Sequence, residues 1–210
     1  MTRVPDLRVI DHPLLADRVA VLRDEATDRA TFRRALRAAA VLLAVEATRD
    51  LATEVGTVTT PLEETAATRI AGDVVLVPVL RAGLGMLDAF LDVVPEARVG
   101  HIGLERDEVS LQPRRYFERL PEQVPAARTL VLDPMLATGG SAVHALDALR
   151  EAGARELALV VLVAAPEGVA AVQAAHPDVP IIAAVLDREL DDDGFIRPGL
   201  GDAGDRVFGT

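Results

Sequence analysis

Four short runs in this chain are apolar at nearly every position: Val74–Val79, Thr129–Leu132, Leu157–Ala164 and Ile181–Val185. A strand with one face in water alternates apolar and polar residues, whereas a strand buried on both faces does not. Segments with the 3.6-residue spacing of helices separate these runs, at Gly140–Ala152 and Glu167–His176. A short helix after Val79 runs through Phe90, and a further strand is expected over Ala97–Gly103. Strands alternating with helices require a mainly parallel sheet covered on both faces, the α/β class. Ahead of the sheet, Leu14–Arg23 and Ala30–Leu51 read as helices. The second places Phe32, Leu36, Ala39, Leu43 and Ala47 near one face. Its apolar content suggests packing on both sides, with a subunit partner as one source of cover. Leu104–Leu120 is polar and interrupted by proline, more like a protruding hairpin than core.

Half of the 210 residues are apolar but only 3% are aromatic, so the core is built from Ala, Val and Leu. The length suits one sizeable core. The longest apolar run, Leu157–Ala165, is too short to span a bilayer, and Met1–Asp6 lacks the pattern of a secretory signal. With no cysteine, disulfides and thiolate metal sites are excluded. These features together favour a cytoplasmic protein. The formal net charge of −11 argues against broad binding to nucleic acid or an anionic membrane, which needs a basic face. A phosphorylated ligand must then be held by local features: an arginine, a helix N-terminus or a bound cation.

Such a feature occurs at Leu130–Ser141. An apolar strand leads to Asp133, then to Pro134, Met135, Leu136, Ala137, Thr138, Gly139, Gly140 and Ser141, and then to a helix. Glycines let the backbone come close to an anion, and the free N–H groups of the helix start point at it. The hydroxyls of Thr138 and Ser141 add donors, while a carboxylate upstream suits the hydroxyls of a ribose, or a metal. The segment therefore reads as a phosphoribosyl site, although a Thr-Gly-Gly-Ser connection can also be only a connection. The P-loop and dinucleotide fingerprints are absent. Ligands of open parallel sheets sit at the carboxyl ends of the strands. Arg81, in Val77–Gly85, stands at such an end and can neutralise a pyrophosphate. Arg106 stands where the hairpin starts; Arg114, Arg115 and Arg119 read as solvated. The C-terminal stretch Gly194–Thr210 alternates glycine with apolar anchors, as a loop folded around a flat ligand does. Asp202 and Asp205 there are candidates for metal-linked or proton-transfer work. His12, His101, His144 and His176 form no metal pattern.

Taken together, these segments resemble the uracil phosphoribosyltransferase family, within the type I phosphoribosyltransferase superfamily. The likeness is carried by Asp11–Leu14, Glu46–Leu51, Pro78–Met86, Asp133–Ser141, Ala164–Gly168 and Pro198–Asp205. It implies a single domain over 1–210, with an N-terminal helical arm at about 1–55, a hairpin flap at about 104–120 and a base-binding loop at about 191–210. The implied reaction joins uracil to 5-phospho-α-D-ribose 1-diphosphate (PRPP), giving UMP and diphosphate in pyrimidine salvage. By resemblance, Arg81 and Arg106 contact the pyrophosphate, Asp133 holds ribose hydroxyls, and Ala137–Ser141 cradles the 5-phosphate. Pro134, Met135 and Leu136 belong to the same PRPP loop. Ile196 and the backbone of Gly201, Asp202 and Ala203 read uracil, with Asp202 also facing PRPP. Arg106, Asp133 and Asp202 are the catalytic candidates. Mg2+ is the implied cofactor, held mainly through PRPP rather than by a protein cage.

The resemblance further implies a homodimer or larger assembly. Members of the family can respond to GTP, a possible effector that no motif here marks. Val45, Glu105 and Phe195 stand where the family usually has tyrosine, Glu189 where it has glycine, and Asp191 where it has asparagine. Glu105 places a negative charge next to Arg106, and Phe195 keeps a ring without its hydroxyl. The competing readings are a nucleotide-binding regulatory protein on the same fold and a transferase for another base.

Overall fold

The computed structural model describes residues 7–106 and 113–210, with Arg106 and Pro113 described by backbone alone. The central 8-stranded sheet is built from β1 (Leu7–Val9), β4 (Val74–Leu80), β5 (Arg98–Val99), β6 (His101–Arg106), β7 (Pro113–Arg119), β8 (Arg128–Leu136), β9 (Glu156–Ala164) and β10 (Ile181–Leu186). Its order is β1-β10-β9-β8-β4-β6-β7, with β5 also paired to β4. Every pairing is parallel except β6 with β7, which are antiparallel. The strands β4, β8, β9 and β10 therefore end at one edge of the sheet. They are the apolar runs of the sequence, and β9 is buried at all positions but its first.

Helices cover both faces, as the apolar strands demand. On one side lie α1 (Pro13–Arg23), α2 (Arg29–Ala47) and α3 (Leu84–Val93); on the other lie α4 (Gly140–Glu151) and α5 (Pro166–Ala175). Asp28 starts α2 by accepting the Thr31 N–H at 2.9 Å. At its other end Thr48 turns its hydroxyl back onto the Ala44 carbonyl at 2.7 Å. Phe32, Leu36, Ala39, Ala40, Leu43 and Ala44 of α2 are buried. Each fully buried Leu or Phe of this kind stabilises the fold by about 1.5–3 kcal/mol. Within the chain α1 and α3 pack against α2, while its Val45 stays half exposed.

Several boundaries differ from the sequence reading. The strand β8 continues through Asp133 to Leu136, because its ladder with β9 persists to Met135↔Val163 and Leu136↔Ala164. Asp133 thus lies within the strand rather than just past it. The expected strand at Ala97–Gly103 is split at Gly100 into β5 and β6. The antiparallel pair β6–β7 forms the expected hairpin, and its connecting residues 107–112 lie outside the described residues. A second hairpin, β2 (Thr53–Thr59) with β3 (Glu64–Ile70), has no counterpart in the sequence reading. It is exposed along nearly its whole length, so it carries no buried face for a hydropathy pattern to reveal. The C-terminal segment contains the short pair β11 (Glu189–Leu190) and β12 (Ile196–Arg197), then a helix, α6 (Ala203–Phe208).

Candidate active site

Four chain segments meet at the carboxyl edge of the sheet. The first is the turn after β4. Gly83 packs so closely there that a Cβ would lie 2.7 Å from both the N and O of Val79, and closer still to the Leu132 carbonyl. Only glycine lets this turn tuck between β4 and β8. It leaves the Arg81 side chain more than half exposed at the edge, its Nη2 3.9 Å from Asp205 Oδ1. The Leu80–Arg81 peptide is cis.

The second segment is the end of β8. Asp133 lies at the floor of this edge, and its Oδ1 accepts the Met135 N–H at 3.2 Å. The residue as a whole is half-buried. Burial pushes its pKa up to about 7, against the opposing pull of the Met135 N–H. A carboxylate so placed favours a ligand that donates hydrogen bonds or positive charge to it.

The chain then turns through Ala137 and Thr138 to Gly139, whose φ of 84° is left-handed. No side chain caps α4 at Gly139, so the first-turn N–H groups are left facing the cleft. Ser141 is the second residue of α4 rather than its cap. The third segment, the start of α5, supports this loop from beneath. A Cβ on Gly168 would lie 2.8 Å from the Leu136 carbonyl and closer to that of Ala137. A Cβ on Gly139 would lie 2.8 Å from that of Ala171. The Ala165 N–H also donates to the Leu136 carbonyl at 2.8 Å.

The fourth segment is the C-terminal stretch. Ile196 is buried in the core, so only its backbone is available to a ligand. The Arg197–Pro198 peptide is cis, and Gly199 and Gly201 take φ of 65° and 79°. Asp202 caps α6, its Oδ1 accepting the Asp205 N–H at 2.9 Å. This leaves Oδ2 for other partners. Ala203 is buried, while Gly201 and Asp202 are exposed. The segment contacts both earlier loops: a Cβ on Gly204 would touch the Ala82 methyl at 3.9 Å, and one on Gly194 would touch Thr138 Cγ2 at 3.8 Å.

The structure therefore brings Arg81, Asp133, the Pro134–Ser141 segment from the end of β8 to the start of α4, and the Ile196–Ala203 segment to one edge. The side chain of Arg106 lies outside the described residues. Glu105 stands directly across from Arg114 in the β6–β7 ladder, a cross-strand match of opposite charges. Asp191 accepts the N–H groups of Asp193 and Phe195 at 3.1 and 2.9 Å and pairs with Arg197. These bonds, led by that from Phe195, hold its carboxyl below the usual range. Arg206 does not pair with its neighbour Asp205; it donates to the carbonyls of Leu22, Asp24 and Leu200 and lies 4.4 Å from the Phe32 ring centroid.

Two residues of this edge escaped the sequence reading. Asp187, just past β10, is buried and pairs with Arg23, the last residue of α1. The position of Asp187 after a strand was the available signal; nothing in the sequence pointed to Arg23.

Among the described residues no group of three or more His, Asp or Glu side chains could hold a metal ion, and no helix is long and apolar enough to cross a membrane. The oxygen donors at the edge, Asp133 and the free Oδ2 of Asp202, are of the hard type that Mg2+ accepts alongside substrate phosphates.

The sequence model of the uracil phosphoribosyltransferase family matches residues 9–210. The chain is 53% identical over 205 residues to a uracil phosphoribosyltransferase of Salinibacter ruber, covering 98% of each protein. It is 48% identical over 204 residues to one of Enterococcus faecalis, covering 97% of this chain and 98% of that one. The solved structure of the AQ2163 protein from Aquifex aeolicus superposes with a TM-score of 0.92 at 35% identity, covering 97% of this chain and 98% of the other. With a family match over nearly its whole length and relatives this similar, the chain belongs to the uracil phosphoribosyltransferase family.

Proposed function

We propose that the protein converts uracil and PRPP to UMP and diphosphate, as a single phosphoribosyltransferase domain over residues 1–210. One observation carries this reading. An uncapped helix start at Gly139–Ser141, a buried carboxylate at Asp133 and a glycine-rich backbone loop at Gly199–Ala203 share one sheet edge with Arg81. These are the parts needed for a 5-phosphate, a ribose, a flat base and a leaving pyrophosphate.

In this reading the N–H groups of Gly140 and Ser141 bind the 5-phosphate, and Asp133 accepts hydrogen bonds from the ribose hydroxyls. Backbone groups of Gly201, Asp202 and Ala203 orient uracil with N1 toward the anomeric carbon. As the C1–O bond breaks, positive charge grows on the ribose ring and negative charge on the leaving diphosphate. Asp133 would face the charge that grows on the ribose ring, and Arg81 the charge on the leaving diphosphate, a role the family resemblance gives to Arg106 as well. No covalent nucleophile is required, and most of the acceleration comes from alignment and exclusion of water. Asp202, whose Oδ1 caps α6, would present its other carboxylate oxygen toward Mg2+ carried by PRPP, and the ion would supply charge neutralisation on the leaving group when bound. The cytoplasm is the compartment this salvage role implies. A homodimer or larger assembly fits the exposed β2–β3 hairpin, where Val55 and Leu62 are 80% and 95% exposed. GTP remains an effector to be tested on the assembled enzyme.

The test is to incubate the purified protein with Mg2+, PRPP and labelled uracil, with cytosine, hypoxanthine and orotate in parallel. UMP from uracil alone is the expected result. Product from another base, or none from any, overturns the reading.

A further inference from the structure

The clamp between the N-terminal helices and the C-terminal loop has no place in the chemistry above. Arg23 is the last residue of α1, and its guanidinium grips the Asp187 carboxylate at both ends, Nη1–Oδ2 2.9 Å and Nη2–Oδ1 2.5 Å. Asp187 also accepts the Gly199 N–H on Oδ2 at 2.9 Å. Arg23 Nη1 in turn donates to the Gly199 carbonyl at 2.8 Å. Both polar groups of one loop residue are thus held by one ion pair. The Asp187 side chain is 3% exposed and that of Arg23 23% exposed.

Gly199 is the position where the loop reverses. Its φ is 65°, and a Cβ there would run into the Ile196 carbonyl. One residue on, Arg206 fastens the Leu200 carbonyl at 2.9 Å to the same helix end, through the carbonyls of Leu22 and Asp24. The base-reading residues Gly201–Ala203 follow directly. An ion pair removed from water adds little net stability, because desolvation offsets most of the attraction. A two-pronged guanidinium on a carboxylate does, however, fix geometry. The core of α1 is secured independently by Leu15, Val19 and Leu22.

We propose that Arg23 and Asp187 are positioning residues for the base: through Gly199 they set the height at which the backbone of Gly201–Ala203 meets uracil. The inference rests on the uracil reading of that loop. The PRPP loop is braced separately, by Gly168 and Ala171 of α5, so the two substrates respond differently to loss of the clamp.

The test uses the full-length enzyme with Arg23→Gln and Arg23→Lys. In steady-state kinetics R23Q raises KM for uracil about 10- to 100-fold, the scale expected of a reacting group displaced by about 1 Å, with KM for PRPP within about twofold. R23K, which keeps the charge but not the fork, falls between. Peptide hydrogen exchange of the free protein is measured alongside: residues 199–203 exchange faster in R23Q, while 137–141 do not. Equal rises in both KM values, or a lowered melting temperature with KM for uracil unchanged, overturn the proposal. If R23Q does not accumulate folded, wild-type kinetics in R23K overturn it equally. If the wild type makes no UMP, the function is misread, and unchanged exchange at 199–203 still decides against the clamp.

Discussion

Burial makes ionisation of Asp133 unfavourable in the free protein, a cost that the proposed ribose contact would offset. Its pKa is raised from 3.8 to about 7 by burial, so the folded state binds the proton more tightly than the unfolded state. The sign follows from linkage: its favourable contribution is fully present below the unfolded pKa and is lost as pH rises through about 7. Above that, an ionised Asp133 destabilises the ligand-free fold. Asp133→Asn is isosteric and cannot ionise. It is therefore expected to raise the melting temperature of the ligand-free protein by a few degrees at about pH 8 and to leave it unchanged near pH 4. The same variant loses PRPP binding, measured by calorimetry. A lower melting temperature at pH 8 would show that the carboxylate is structural rather than held in reserve for a ligand. At this scale the sequence was informative where a residue's chemistry is local. Asp133, Thr138 and Gly139 lie within one short stretch of chain, so they can be read together. Arg23 and Asp187 are 164 positions apart, and no local pattern links them.

Among the elements, α5 shows how an ordinary covering helix doubles as a support. Its first residues face the carbonyls at the end of β8, and Gly168 leaves no room for a methyl group between helix and loop. Gly168→Ala requires either α5 or the Leu136–Ala137 backbone to shift by several tenths of an ångström. If the proposed 5-phosphate site is built on that backbone, the expected effect is a rise of about tenfold in KM for PRPP with a small change for uracil. This is the reverse of the pattern for R23Q, and the pair of measurements separates the two supports. Unchanged PRPP kinetics in G168A would mean that the loop adapts at no cost. Burial explains which elements were legible. Strands β4, β8, β9 and β10 are buried on both faces, so hydrophobicity marks them without ambiguity. The β2–β3 hairpin has no inward face in this chain, and α6 is only six residues long. Both lack the signal on which periodicity depends.

For the whole molecule, that exposed hairpin is the feature a single chain does not account for. Among the described residues β2 and β3 pair with each other alone, and Val55, Leu62 and Ile70 reach solvent. A second copy of the chain is the expected cover. Light scattering coupled to size exclusion is predicted to give a mass of at least twice 22.3 kDa. Replacing Val55 and Leu62 together by Asp should move it toward the single-chain value, since charges are costly at a buried apolar contact. A wild-type mass of one chain would end the idea. The sequence by itself determined the sheet class, its burial on both faces and the glycine-containing strand-to-helix connection for which a phosphate is proposed. Each follows from interactions between residues a few positions apart, or from the plain need to keep apolar surface from water. Tertiary structure alone decided that β8 runs on through Asp133, that α5 braces the Leu136–Gly139 connection from below, and that the end of α1 holds the C-terminal loop at Gly199. Those outcomes depend on strand register, close backbone approach and a buried ion pair, which exist only once distant parts of the chain have packed together.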